Sequence, residues 1–161
     1  MSVHQRKLAI TALTVVVLDQ ISKTLAVMHL ENNASVNVVG SLVKLSFARN
    51  SGAAFSFATG ATFIFTALAF AACIAIIWFS AKISSRSWAI VFGSIFGGAF
   101  GNLLDRIFRA PQGFQGHVVD FIEFPNYPIF NLADSAIFCA AVAGIVLTMR
   151  AVPITEAQAQ K

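Results

Sequence analysis

Residues 88–107 read WAIVFGSIFGGAFGNLLDRI, a run that is free of charge until it closes on Asn102, Asp105 and Arg106. Twenty helical residues at about 1.5 Å each cover roughly 30 Å, the thickness of a bilayer's hydrocarbon core. Gly93, Gly97, Gly98 and Gly101 repeat the small-xxx-small spacing that lets helix backbones approach closely in lipid. The stretch therefore reads as a membrane-spanning helix pressed against its neighbours, with polar groups gathered at one end.

The rest of the chain agrees with a bilayer setting. Of its 161 residues, 57% are hydrophobic and only 11% charged, which sets it far from ordinary soluble domains. Three further apolar runs are long enough to span: Leu8–Met28, Ala61–Ser80 and Asn131–Met149, with Trp88–Ile107 as the third of four. The fold class expected is thus membrane all-α, a four-helix bundle forming one integral membrane domain over residues 1–161. Arg6 and Lys7 ahead of the first run suggest a secretory signal, but no small-x-small cleavage site follows, so a permanent helix is expected. The net charge of +4 comes from bases scattered near span ends, which argues against nucleic acid as a partner. Cys73 and Cys139 sit inside apolar runs and read as core filler, with no disulfide implied.

Basic residues set the orientation. Arg6, Lys7, Lys82, Arg86, Arg150 and Lys161 fall on one side of the bundle, against Lys44, Arg49, Arg106 and Arg109 on the other. The positive-inside rule makes the first side cytoplasmic, with both termini there. Residues 32–60 and 108–130 then become extracytoplasmic segments and carry most of the polar clusters. In the first, Val43, Leu45 and Phe47 alternate with Lys44, Ser46 and Ala48, a strand pattern over Leu42–Ala48. Val36 and Val38, ahead of the Gly40-Ser41 turn signal, supply a hairpin partner. The second, with Pro111, Gly113, Gly116, Pro125 and Pro128, is expected to be irregular, and the polar tail from Thr155 onward to be disordered.

Ionisable groups at membrane depth are costly unless paired or hydrated, so each one calls for a reason. Asp19 and Lys23 stand one helical turn apart, acid first, as an ion pair prefers. They read either as a buried pair ordering helix contacts or as a group in which Lys23 holds a lipid headgroup or loop. Asn50-Ser51-Gly52-Ala53-Ala54-Phe55 is a turn into the second helix or, read functionally, an amide presented to an extended peptide or lipid group. On the third helix, Asn102 and Arg106 share one face while Asp105 and Arg109 share another. The arginines suit interfacial anchors, but Asn102 must bond something inside the bundle.

Two acids remain. Asp120 lies among Val118, Val119, Phe121 and Ile122, where desolvation favours the neutral carboxyl. Asp134 follows Asn131 by three residues at the start of the fourth helix, a capping-box spacing that explains it without chemistry. Capping does not explain why Asp120 lies at the same membrane face. Two carboxylates sharing a water divide the labour of amide hydrolysis, one ionised as base and one protonated as acid. The positive end of the fourth helix favours the anion at Asp134 and leaves the proton more often on Asp120. His117, Asp120 and Glu123 have some metal-ligand character, but without a metalloprotease signature no metal or other cofactor is expected.

Asp19-Gln20-Ile21-Ser22-Lys23, Asn50-Ser51-Gly52-Ala53-Ala54-Phe55, Gly101-Asn102-Leu103-Leu104-Asp105-Arg106, Val118-Val119-Asp120-Phe121 and Phe130-Asn131-Leu132-Ala133-Asp134-Ser135, in that order, resemble lipoprotein signal peptidase, signal peptidase II. The resemblance implies an aspartic endopeptidase of the bacterial cytoplasmic (inner) membrane that removes the signal peptide just before the diacylglyceryl-modified cysteine of a prolipoprotein. It implies catalysis by Asp120 and Asp134, and a site lined or supported by Asp19, Lys23, Asn50, Gly52, Asn102, Arg106, Asn131 and Ala133. A small extracytoplasmic sheet cradling the substrate and sensitivity to the cyclic peptide globomycin come with it; membrane lipids are expected as further partners and a monomer as the working state. The stretch from Phe108 to Gly116 is longer than the family's usual one, and that between Asp120 and Asn131 shorter, which bears on the flap over the substrate. Two other classes fit the residues alone. A small proton- or ion-coupled transporter would thread its acids through the bilayer midplane, and a non-catalytic assembly factor would tolerate loss of either acid.

Overall fold

The computed structural model describes residues 1–52 and 61–160. Residues 53–55 of the expected Asn50–Phe55 motif therefore lie outside the described residues. The chain runs α1 (Val3–Leu30), β1 (Val36–Val39), β2 (Val43–Asn50), α2 (Ala61–Phe79), a 3₁₀ turn (Ser80–Lys82), α3 (Arg86–Phe108), β3 (Val118–Glu123), α4 (Leu132–Met149) and a short α5 (Glu156–Ala159). Among the described residues, four helices are long and apolar enough to cross a membrane.

α1 begins well before the apolar run that announces it. Ser2 Oγ accepts the Gln5 amide at 3.1 Å while Gln5 Oε1 accepts the Ser2 amide at 2.8 Å, a capping box that carries the helix through His4–Lys7. The disordered tail expected from Thr155 is also corrected: Gln158 Oε1 accepts the amides of Ile154 and Thr155 at the start of α5, and Ile154 O receives the Ser84 amide at 2.9 Å.

α3 is the axis of the bundle. A methyl group placed on Gly93 would lie 2.7 Å from Leu8 O, and one on Gly97 2.7 Å from Ala12 O, so these glycines set the approach of α3 to α1. One on Gly98 would lie 2.5 Å from Ala133 O, which sets the approach to α4. The outward faces keep large apolar side chains such as Leu13, Phe63, Phe70, Trp78 and Ile145 exposed, as lipid contact requires. At the end that holds the chain termini, Leu8, Ile76, Ile83, Trp88, Ala89, Val91 and Ala140 form a buried apolar cluster on which Val152 and Ile154 pack.

At the opposite end the chain makes a three-stranded antiparallel sheet in the order β1-β2-β3. The hairpin of Val36–Val39 with β2 is present, with Val36 opposite Leu45. The irregular segment expected over 108–130 needs correction, because Val118–Glu123 forms the third strand and pairs Ala48 with Asp120 and Asn50 with Val118. The Pro- and Gly-rich signal belongs only to its flanks. Residues 109–117 fold into a hydrogen-bonded loop, Gly116 N to Arg106 O and His117 N to Ala110 O, held to α2 by Thr66 Oγ1 on Phe114 O at 2.8 Å. After the strand, Phe130 exchanges backbone hydrogen bonds with Ile122, at 3.0 and 2.8 Å, and brings the chain straight back to the start of α4. Val119 and Phe121 of β3 pack on Ala26 and Leu30 of α1, and strand alternation turns Asp120 the other way, toward α4.

Candidate active site

The bulkiest side chains with essentially no exposure are Lys23, Val119, Asn131, Asp19, Asp105 and Asp120, and five of these six are polar. A buried charge is tolerated only when paired and hydrogen-bonded, so their partners decide what the group is for.

α3 supplies the group on two faces. Gly93, Gly97 and Gly101 face α1, and one turn further that row ends in Asp105. A methyl group on Gly101 would lie 2.6 Å from Asp19 Oδ2, so the helices meet here through the acid itself. Lys23 Nζ bridges Asp19 Oδ2 at 2.8 Å and Asp105 Oδ2 at 3.1 Å, and donates to Asn102 Oδ1 at 2.8 Å. Arg109 Nε closes on Asp105 Oδ1 at 2.6 Å. The buried-pair reading of Asp19 and Lys23 thus describes them, and the interfacial-anchor reading of Arg109 gives way to an ion pair. Asp105 and Gln20, outside the expected site, belong to the cluster: Gln20 Nε2 donates to Asp19, to Gly101 O and, at 3.4 Å, to Asp105. The glycine row was the available signal, since its continuation carries Asp105 onto the face that meets Asp19 and Lys23.

The second face of α3 runs through Gly98, Asn102 and Arg106 toward α4. Here three amides orient two carboxylates. Asn131 Oδ1 accepts the Asp134 amide at 3.0 Å, which turns its Nδ2 to Asp120 Oδ1 at 2.6 Å. Asn50 Oδ1 accepts the Gly52 amide at 2.7 Å, which turns its Nδ2 to Asp120 Oδ2 at 2.8 Å. Asn102 Oδ1 takes Lys23 and Asn131, which turns its Nδ2 to Asp134 Oδ1 at 2.8 Å. Each amide thus has its oxygen fixed by a donor, so its orientation follows from the bonding pattern. Asp134 Oδ2 also accepts the backbone amide of Asn131 at 3.3 Å, completing the capping box. Capping and a place in this centre are both true of Asp134.

Burial pushes the Asp120 carboxyl up to about 6, with the neighbouring Asp134 charge adding to it and the Asn50 and Asn131 amides and Lys23 opposing. Arg106 is buried on the same side, its charge facing Asp120, Asp105 and Asp134. Among the described residues its Nη1 has no hydrogen-bond partner, and its guanidinium lies 6.0 Å over the Phe65 ring. Gly52 holds a φ of +87°, and a methyl group there would lie 2.7 Å from Phe65, so both backbone and space require glycine. Ala133, fully buried, gives its amide to Asp19 Oδ1 at 3.0 Å. All ten expected site residues therefore meet in one region. Glu123 does not join it: three positions along the strand from Asp120, it bonds Ser46 on the other face. An open groove of about 800 Å³ leads away from Asp134 between Phe124, Tyr127 and Phe130 on one side and Phe138 and Cys139 on the other.

A bundle with apolar outer faces and two neighbouring carboxylates at one end, Asp120 buried and Asp134 half-buried beside an open groove, defines a multi-pass membrane protein. Comparison with known proteins makes this specific. The family described as Signal peptidase (SPase) II matches residues 11–150, and the chain belongs to that family. It is 45% identical over 148 residues to a lipoprotein signal peptidase of Rhodococcus jostii, covering 91% of this chain and 75% of that one. It is 44% identical over 144 residues to that of Mycobacterium leprae, covering 89% and 72%. A solved bacterial membrane enzyme superposes with a TM-score of 0.76 at 28% identity, covering 86% of this chain and 90% of that one. A second does so at 0.75 and 27%, covering 88% and 86%. The chain is a multi-pass bacterial membrane enzyme.

Proposed function

We propose that this signal peptidase II cleaves diacylglyceryl-modified prolipoproteins just before the lipidated cysteine, with Asp120 and Asp134 as its catalytic pair. One observation carries the assignment: Asn131 donates its side-chain amide to Asp120 and its backbone amide to Asp134, so a single residue fastens both acids to one small space. A water held there loses a proton to the ionised acid as its oxygen attacks the scissile carbonyl. The protonated acid hydrogen-bonds the carbonyl oxygen and passes on its proton as charge develops. Collapse of the tetrahedral intermediate breaks the C–N bond, with a proton returned to the leaving amine.

The charges nearby suit a singly protonated pair. Lys23 and Arg109 balance Asp19 and Asp105, which leaves Arg106 to balance one net negative charge on Asp120 and Asp134. An apolar groove opening beside Asp134 suits a substrate that arrives with acyl chains and a hydrophobic signal segment, and membrane lipids would occupy it between turnovers. Globomycin is expected to block the same space. The enzyme works as a monomer and as one membrane domain. Its termini and the Lys82–Arg86 turn face the cytoplasm and the acid pair faces outward, which the distribution of basic residues favours.

The test is cleavage of a diacylglyceryl-modified lipobox peptide by the full chain in detergent. Asp120→Asn and Asp134→Asn are each expected to lower kcat about 10³-fold, with a chelator leaving the wild type unaffected. Full activity in either variant removes the pair, and activity lost to the chelator alone points to a metal.

A further inference from the structure

Asp105 touches neither Asp120 nor Asp134 by any hydrogen bond, yet it is 1% exposed and receives four donors. Lys23, Arg109 and Gln20 account for three of them. The fourth is the backbone amide of Val119, which donates to Asp105 Oδ2 at 3.1 Å. Val119 is the residue immediately before Asp120. On the other side of Lys23, Asp19 Oδ1 accepts the amide of Ala133 at 3.0 Å, and Ala133 is the residue immediately before Asp134. The same ammonium binds both carboxylates, at 2.8 and 3.1 Å. The backbone ahead of each proposed catalytic acid is thereby tied to one end of a single buried ion triad.

We propose that Asp105 is a positioning residue which, linked through Lys23 to Asp19, sets the separation of the two catalytic carboxylates by gripping the amides of Val119 and Ala133. The inference rests on Asp120 and Asp134 being the catalytic pair. β3 and α4 are joined by the short 122–130 return and by the Asn131 side chain on Asp120, so a strand end and a helix start must be registered against each other. Charge-assisted hydrogen bonds to backbone amides, buried away from water, are suited to that task. Asn102 lengthens the link, because it accepts from Lys23 on its oxygen and donates to Asp134 on its nitrogen. A displacement of about 1 Å between reacting groups is enough to cost roughly 100-fold in rate.

The experiment compares wild type, Asp105→Asn, Asp19→Asn and the double variant, as full-length protein in detergent, on a diacylglyceryl-modified lipobox peptide, with thermal unfolding in parallel. Each single variant is expected to lower kcat about 10- to 100-fold with KM within about twofold, and to move the alkaline limb of the kcat profile, because the proton shared by the pair depends on its spacing. Releasing either end of the triad frees the spacing, so the double variant is expected to be no worse than the poorer single by more than about threefold. Arg109→Gln loosens Asp105 from its solvent side and is the gentler variant should Asp105→Asn fail to fold; it is expected to lower kcat a few-fold and move the same limb. Folded Asp105→Asn or Arg109→Gln with wild-type kcat and an unmoved profile overturns the proposal. So does a loss of activity that only tracks the folded fraction, or fully multiplicative effects in the double variant. Activity in Asp120→Asn or Asp134→Asn sinks the catalytic pair itself, whereas inactive acid variants beside a fully active Asp105→Asn sink only the positioning role.

Discussion

The two ends of the bundle are built from the same helices by opposite means. At the end near the termini, Leu8, Ile76, Trp88 and Val91 form an apolar cluster whose polar contacts run through the Trp88 indole and the Ser84 hydroxyl to backbone carbonyls. At the other end, α1 and α3 meet through Asp19, Lys23 and Asp105, and four of the six bulkiest fully buried side chains are ionisable. Replacing a buried ion cluster by apolar residues is often neutral or stabilising, so stability alone gives no reason for the difference. On the proposed mechanism the reason is the work of holding two acids at a fixed spacing: apolar packing sets a distance between helices, but it cannot grip a particular backbone amide.

The contrast breaks or stands first on the acids. Loss of about 10³-fold in kcat is expected for Asp120→Asn, without loss of stability. Burial raises the Asp120 carboxyl from 3.8 to about 6, so the folded state holds this proton more tightly than the unfolded chain. The sign follows: this contribution is fully present below about pH 4 and is lost as pH rises through about 6. An asparagine there removes the penalty of a buried anion. Thermal unfolding at pH 8 should therefore show the variant close to wild type, because relief of the buried anion, up to about 3 kcal/mol at 1.36 kcal/mol per tenfold in proton affinity, is offset by the Asn50 or Asn131 amide left facing another amide nitrogen, about 1–3 kcal/mol. In the wild type the same carboxyl predicts a kcat/KM that declines above about pH 6, up to tenfold per pH unit. The limb for kcat itself should lie higher, because bound substrate dries the site further.

A paired substitution sharpens the comparison. Gly93→Ala and Gly101→Ala both push a methyl group into α1, 2.7 Å from Leu8 O in one case and 2.6 Å from Asp19 Oδ2 in the other. Overpacking is expected to cost each roughly 1–3 kcal/mol. Only Gly101→Ala should also lower kcat, about tenfold, because the atom displaced belongs to the triad. Equal activity in the two variants, measured at matched folded fraction, would show that the ionic end tolerates displacement.

Much of this was legible in the chain itself. Length and hydropathy suffice for four spans, since a bilayer leaves a polypeptide few alternatives. Alternation over Val43–Ala48 is enough for the hairpin. β3 was hidden because Val118–Glu123 is buried on both faces at its start, so it shows an unbroken apolar run with one acid instead of alternation, between Pro- and Gly-rich flanks that read as loop. The resemblance carried Asp19, Lys23 and the three asparagines into the site, while the residues alone left each with a bland alternative. Local spacing pairs Asp105 with Arg109 at i,i+4, which is half of the truth, because Lys23 and Val119 reach Asp105 across 82 and 14 residues of sequence. Long-range polar contacts leave no periodicity behind, and only the row of glycines pointed at them.

The smallest effect expected is at the inner end. Trp88 is 7% exposed, its ring lies against Phe92 with centroids 5.9 Å apart, and Nε1 donates to Val152 O at 2.9 Å, fastening the segment after α4 to the foot of α3. Trp88→Phe keeps most of the apolar contact but removes the donor and leaves a part-buried carbonyl short of a partner, a loss of about 1 kcal/mol. Thermal unfolding in detergent should register it, while kcat and the alkaline limb stay where they were. The outcome bears on how α3 works as a helix, since its foot and its outer end are joined by a row of glycines packed directly against α1. A moved limb in this variant would mean that a shift at the foot travels the length of the row to Gly101 and Asp19, and the inner end would then share in setting the spacing of the acids instead of merely closing the bundle.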